Sequence, residues 1–484
     1  MKPPRLLAPA VILALALALR LALFTGFQAS DDLNYIRYVA RMNAGTYVLE
    51  SNPFATRFGL LVPMAAAFRL FGPGIVQAIL PNLIASLACV LLAFAVGRRL
   101  ADGRTALLAA LLAAFLPVNI HHATEVHADL PMAAWMGLSA FLWLGSSGRM
   151  RPAFLAGLAL GAAHLTKEPA FFLFAFVFPH GLLAADRRRP LAAFVAGFAL
   201  VAIAEVAAYG IAGDPLFRIR STGGGHAQDV EQHYATAGQI LHRLFVEMPS
   251  MLFNPMSPMA PFFGIFYLAF AAAAAHVWIA KDRAGRLALL WWLALFACMN
   301  FFPLSLSPFR PGFVARPRTL EPLTIPAVLV VARSAVLLAS RRRMLSAALG
   351  AVLLVDILAA VRLHRDAPLA RENIVAAHRF LSGRDPGRVV SDRRMVEALE
   401  FLDRFRSRHR YAVWSDAPPG EPCLVVFDGY WLGNDLKYYG MSPPAWTKRL
   451  PAPLHEHSAP LPRSIRHPRP TGRGPKLEIR EWRP

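Results

Sequence analysis

Two adjacent carboxylates, Asp31 and Asp32, stand in ASDDLNYIRYVARMNAG, directly after the first apolar run. A carboxylate fixed at a membrane surface can take a proton from an attacking alcohol or amine. A structural role is the ordinary alternative: Ser30 or Asp31 would cap a helix, and Asp32 would favour its positive end. A second polar group, NIHHATEVHADLP over 119–131, interrupts apolar sequence with His121, His122, Glu125, His127 and Asp129. Two histidines and a carboxylate could bind zinc, but this spacing matches no recognised ligand motif. His127 can reach Asp129 or a substrate phosphate. Lys167 in AHLTKEPA offers a compact positive charge for a phosphate. Arg310, Arg316 and Arg318 in SPFRPGFVARPRTLEP offer planar forks for the same task, with headgroup binding as the plain alternative. Glu321 is placed to pair with one of these arginines.

These residues need a membrane scaffold. Of 484 residues, 56% are hydrophobic and 17% charged, where a soluble chain has about 25% charged. Several apolar runs reach the roughly 20 residues that cross a bilayer. Eleven spans are expected, with 10–13 compatible with the pattern: 6–24, 74–97, 105–118, 129–146, 152–165, 169–185, 190–211, 260–280, 286–302, 320–339 and 344–361. The first, behind MKPPR, reads as a retained signal anchor rather than a cleaved peptide. Arg20, Glu205, Arg333 and Asp356 are charges inside spans, which marks them as functional suspects. Arg20 could reach Asp31, and Arg333 could extend to the inner surface. Cys89, Cys298 and Cys423 form no disulfide framework.

Charge orients the chain. With the N-terminus in the cytoplasm, the inner loops hold 16 basic against 3 acidic residues, and the outer segments 9 against 11. That split follows the positive-inside rule. Counting 56–71 as a span would put the arginine clusters outside, so this segment is expected as an interfacial or re-entrant helix. All the polar groups above then fall on one outer face. The net charge of +21 reflects this topology and attraction to anionic lipid. No nucleic-acid-binding motif accompanies it.

From 362 the sequence becomes charged. RRMVEALEFLDRFRSR carries Val396, Leu399, Leu402 and Phe405 at helical spacing, and CLVVF at 423–427 reads as a buried strand. The expected organisation is a transmembrane domain over 1–361, including a first outer loop with interfacial helices at 25–73. A small periplasmic α/β domain over 362–449 follows, then a disordered tail over 450–484. The fold class is all-α polytopic, with that α/β appendage.

The order of motifs resembles the C-type-fold membrane glycosyltransferases that use polyprenyl-phosphate sugars, in particular the lipid A aminoarabinose transferase and protein O-mannosyltransferase group. DDLNYIRYVARMNAG is similar to the family's first-loop D-[DE]-x-x-Y segment. HADLPMAAWMGLSAFLWL is similar to its second acidic motif. GLALGAAHLTKEPA is similar to its G-L-x-x-G-x-A-x-L-T-K-x-P block, and RPRTLEPLTIP to a weakened R-Y-x-L-P-x-x-P segment. The aminoarabinose transferases carry K-P-P-L where this chain has Ser51–Asn52–Pro53–Phe54, and Arg57 is the nearby substitute.

The resemblance implies transfer of a hexosyl- or pentosyl-type sugar from a lipid-phosphate donor to a lipid, glycan or protein acceptor, with inversion, at the periplasmic side of a bacterial inner membrane. Asp31 and Asp129 are the expected catalytic residues. Asp32, Tyr35, Arg57, His127, Lys167, Arg316 and Arg318 are expected to bind substrate. No metal ligands are assigned and no cofactor is required, although the carboxylates leave room for Mg2+ or Mn2+. Expected partners are the donor, the acceptor and membrane lipids, with no nucleic acid. A lipid-linked glycan flippase, a surface polysaccharide polymerase and a non-catalytic envelope assembly protein stay open as alternatives.

Overall fold

Helix length decides which apolar segments can cross a bilayer. In a computed structural model, residues 7–307, 309–338, 342–366, 369–385, 387–439, 442–458 and 476–484 are described. The start of the expected first span, part of the 341–343 arginine cluster and the middle of the expected tail lie outside them. Among the described residues, five helices are long and apolar enough to span: Ile75–Leu100, Ala185–Ile211, Arg283–Phe301, Pro317–Leu337 and Ala347–Asp366. Leu7–Ala22, Phe58–Phe71, Gly103–Phe115, Glu168–Leu183 and Phe266–Ile279 are apolar but shorter. This corrects the count of eleven. Asp129–Leu144 and Met150–Thr166, of 16 and 17 residues, run only about 24–26 Å, against about 30 Å of hydrocarbon core. The chain is an all-α polytopic membrane protein with a small strand-bearing C-terminal region.

The chain divides into two compact units. The first comprises Met1–Phe24, Leu49–Pro63 and Pro81–Leu363. Its centre is Pro317–Leu337, with 83% of its apolar window buried, whereas Ala185–Ile211 buries 22% of its own. The Gly103–Phe115, Phe266–Ile279 and Arg283–Phe301 helices pack against that centre. Glycine sets one crossing. A Cβ at Gly157 would lie 2.0 Å from the Phe194 carbonyl oxygen, and one at Gly197 would lie 2.2 Å from that of Phe154. Helices Met150–Thr166 and Arg188–Ile211 therefore approach backbone to backbone, as small residues permit in membranes.

Charges within this unit have partners. Arg20 donates to Ser86 Oγ at 2.7 Å and to the Ala16 and Ala114 carbonyls. Arg333 reaches Asp102 and Asp282, each at 2.8 Å. Those acids cap the helices that begin at Gly103 and Arg283, so Arg333 does extend to the loops expected inside. Glu205 pairs with Arg218 and lies 3.4 Å from His164. Asp356 accepts the Ile265 N–H beside Gly264, whose φ of 57° and lack of a Cβ admit the carboxyl.

The second unit comprises Thr25–Val48, Met64–Leu80 and His364–Pro484. Its strands are β1 (Arg388–Ser391), β2 (Arg410–Val413), β3 (Cys423–Asp428), β4 (His455–Ser458) and β5 (Lys476–Trp482), ordered β2-β1-β3-β5-β4. β1 is parallel to β2 and β3, and β5 is antiparallel to β3 and β4. The expected strand at 423–427 is β3. The expected disordered tail is corrected at both ends, because β4 and β5 belong to the sheet; 459–475 lie outside the described residues. The amphipathic helix is Arg393–Leu402, shorter than its apolar stripe. Phe405 falls beyond it at φ 57°. Helix Asp31–Ala44 packs here through Arg37–Glu397 at 3.0 Å, and Phe27 and Phe68 both touch Phe401.

Candidate functional site

Asp129 begins helix Asp129–Leu144, one residue after a backbone that already turns at Ala128. Only 2% of it is exposed. A carboxylate so buried requires a cation, and Lys167 Nζ supplies one at 2.5 Å from Oδ1. Lys167 is the extended residue that ends helix Met150–Thr166 before the turn at Glu168–Leu173. Gly59 packs directly on Thr166, where a Cβ would meet Thr166 Oγ1 at 2.1 Å. Arg318 Nε lies 4.0 Å from Asp129 Oδ2, and His127 Nδ1 lies 3.7 Å from it. Arg57, which is buried and stacks on Phe54 at 4.9 Å, adds a further positive charge near Lys167.

Burial pulls the Lys167 pKa down to about 8, with Arg57 and Arg318 acting in the same sense against Asp129. One buried carboxylate thus faces Lys167 and Arg318, and Arg57 adds charge beside the lysine, which leaves an excess of positive charge. An anion is the natural complement.

Beside this cluster, Glu321 is fully buried and hydrogen-bonds with His122 Nδ1 at 2.7 Å; the expected arginine partner is replaced by a histidine. Burial lowers the His122 pKa to about 3, which keeps the ring neutral. His121 Nε2 lies 3.0 Å from Glu125 Oε1. His121, His122 and Glu125 present ligand atoms that all lie within 4.8 Å of one another. Their sequence spacing gave no ligand motif, yet the Pro117–His122 helix and its following turn bring them together.

Of the residues expected to form the site, Arg57, His127, Asp129, Lys167 and Arg318 meet in the first unit. Arg316 caps the turn Pro317–Leu323 and is half-buried. Asp31, Asp32 and Tyr35 belong to the second unit. Asp32 accepts backbone N–H groups from Gln28, Ala29 and Ser30 at 2.5, 3.2 and 2.6 Å, so it shapes the turn before its helix. Ser30 occupies the cap position without a side-chain cap bond. Asp31 is half-buried and Tyr35 is buried. Sequence reasoning did not assign Arg218, which pairs with Glu205 and Glu168 and also donates to the His164 carbonyl. A buried acid at 205 was the only signal. A groove of about 700 Å3 also lies in the first unit, lined by Tyr234, Ile240, Leu244, Phe245 and Phe301, with Arg310 paired to Glu231.

A family profile described as dolichyl-phosphate-mannose-protein mannosyltransferase matches residues 61–209. No curated protein matches the chain. Among solved structures, ArnT from Cupriavidus metallidurans in the apo state is similar at 14% identity and a TM-score of 0.59, covering 98% of this chain and 97% of that one. The same protein bound to undecaprenyl phosphate gives 14%, 0.56, 97% and 97%. The Archaeoglobus fulgidus oligosaccharyltransferase in complex with Zn and sulfate gives 12% and 0.56, covering 91% of this chain and 70% of that one. The chain therefore shares the C-type fold of these membrane glycosyltransferases.

Proposed function

We propose that the chain transfers a sugar from a polyprenyl-phosphate donor to a lipid, glycan or protein acceptor. The observation that carries this reading is the buried Asp129–Lys167 pair at 2.5 Å with Arg318 and Arg57 around it. A phosphate monoanion or dianion matches the surplus cations. The apolar groove lined by Phe245 and Phe301 suits an isoprenoid chain. The fold shared with an undecaprenyl-phosphate-bound transferase and the matched mannosyltransferase profile support the same chemistry.

In the reaction, the acceptor oxygen or nitrogen attacks the anomeric carbon and the bond to the phosphate oxygen breaks. Asp31 takes the acceptor proton. The departing polyprenyl phosphate carries the electron pair as an anion, stabilised by Lys167, Arg57, Arg318 and Arg316. Asp129 holds Lys167 and orients the acceptor, with His127 against it; Asp32 and Tyr35 support the segment that presents Asp31. A single displacement with one base inverts the anomeric centre.

An N-terminus in the cytoplasm and a periplasmic C-terminal region in a bacterial inner membrane complete the reading. The transmembrane domain is taken as 1–361, and the periplasmic region, whose sheet includes β4 and β5, begins at 362. The split of 16 basic to 3 acidic inner residues supports this orientation. Phe58–Phe71, with Pro63 inside, serves as the interfacial or re-entrant helix. The test is transfer by the purified protein from a polyprenyl-phosphate sugar, with acceptors taken from a deletion strain's altered glycans. Release of polyprenyl phosphate with one sugar added to acceptor is expected, and loss of it in Asp31→Asn. Movement of intact donor across vesicles without phosphate release would favour the flippase, and full activity in Asp31→Asn would remove Asp31 as base.

A further inference from the structure

Helix Asp129–Leu144 carries the candidate site at its first turn, and three arginines meet at its last. Arg99 donates to the Phe141 carbonyl and lies over the Phe141 ring, its guanidinium carbon 3.9 Å from the centroid. Arg149 donates to the Gly145 carbonyl. Arg187 donates to the Trp143 and Leu144 carbonyls at 3.0 and 3.4 Å and to Ser147 Oγ at 3.1 Å. The three come from separate segments: the end of helix Ile75–Leu100, the residue before helix Met150–Thr166, and the turn Ala185–Arg187. Gly145 leaves room for the Arg99 guanidinium, which a Cβ there would strike.

Helix capping accounts for one of these arginines, not for all of them. The C-terminal end of a helix is worth about half a negative charge, against a full positive charge on each guanidinium. Among the described residues, their hydrogen-bond partners are carbonyls and a hydroxyl, and none of the three forms an ion pair with a carboxylate. Asp186 acts on Arg187 from further away, and Arg283 opposes it. Arg99 and Arg149 are exposed and repel each other. Each commits one N–H to a carbonyl, which leaves the rest of its planar fork for an anion.

The surroundings are those of a lipid. Arg99 stands at the end of one apolar helix of spanning length, and Arg187 near the start of another, Ala185–Ile211. The cluster therefore lies at a boundary of the hydrocarbon. Leu183 is 87% exposed, and Leu182 and Met150 are more than half exposed, beside Arg187 and Arg149 in the chain. We propose that Arg99, Arg149 and Arg187 form a binding site for the phosphate of an anionic phospholipid, whose acyl chains run along Leu182, Leu183 and Met150. The site is about 24 Å along the helix from Asp129. It is independent of which group the chain transfers.

The full chain, delipidated in a neutral detergent, is titrated with phosphatidylglycerol or phosphatidylcholine and read by native mass spectrometry. The first phosphatidylglycerol should bind more tightly than phosphatidylcholine. Arg99→Gln, Arg149→Gln and Arg187→Gln should each weaken it about fivefold and the triple variant about 100-fold, whereas Arg151→Gln, in the same loop as Arg149, should change it less than about twofold. Gln keeps an N–H for the helix-end carbonyls, and hydrogen exchange of helix Asp129–Leu144 checks that each variant is folded. Equal affinity for the two lipids in the wild type, a measurement that needs no variant, would overturn the site. An equal loss in Arg151→Gln would do the same, since it reports diffuse attraction by a basic surface. Displacement of the lipid by an equal concentration of inorganic phosphate would also overturn it, since it reports an anion site without lipid.

Discussion

Replacing Asp129 by Asn removes the carboxylate and keeps the shape. Lys167 Nζ then loses a partner at 2.5 Å while Arg57 and Arg318 still repel it. The bare Coulomb energy at that distance is about 7 kcal/mol at an effective dielectric constant of 20. Reorganisation and the amide oxygen that Asn retains reduce the loss to the value of a charge-assisted hydrogen bond, about 1.5–3 kcal/mol. At 1.36 kcal/mol per unit, that is about 1–2 units of pKa. Burial already holds Lys167 near 8, so in Asp129→Asn it should titrate near 6–7 and be largely neutral at pH 7.5. Lys167 binds an anion only when protonated. Wild-type activity is therefore full well below pH 8 and falls as pH rises through it, and the variant's alkaline limb moves down by the same 1–2 units. The pH dependence of Lys167 acylation by a small anhydride, read by peptide mass spectrometry, measures the same ionisation without turnover. A Lys167 that titrates near 10 in wild type, or at the same pH in both proteins, would refute the reasoning.

Arg218→Met should lower stability by about 3–5 kcal/mol, because it strands the buried Glu205 and Glu168; thermal unfolding in nanodiscs measures this, and adding Glu205→Gln should restore part of the loss. Asp428 in the sheet unit is pushed up to about 6 by burial, against the hydrogen bond from Asn373. A carboxyl with a raised folded pKa favours the folded state at low pH, so the unit should lose stability as pH rises from about 4 to 6. Asp428→Asn should abolish that dependence and stabilise the unit at pH 8 by up to about 3 kcal/mol, measured by hydrogen exchange of β3.

Motif order made Asp129 and Lys167 legible, because each sits where an apolar helix starts or stops and charge there stands out. The partners of buried charges were not legible. His122 and Glu321 are separated by 199 positions, and Arg218 occupies a polar helix, Phe217–His233, where arginine is unremarkable. Span counting failed for a physical reason. Hydrophobicity registers burial in protein and burial in lipid alike, and helix Asp129–Leu144 satisfies its apolar residues largely with protein. Strands β4 and β5 were hidden by Pro- and Arg-rich flanks. Only the pairing of β5 with β3 reveals what Leu477 and Ile479 are for.

Pro317–Leu337 has consequences for biogenesis. Synthesis delivers this segment after two thirds of the polypeptide, yet the helices made earlier need it as their common neighbour. Until the ribosome reaches it, those helices must tolerate an unfilled interior, shielded by lipid or by the insertion machinery. Truncation just before residue 317 should therefore leave inserted but unassembled helices exposed to quality-control proteolysis, whereas truncation beyond 337 should spare their packing.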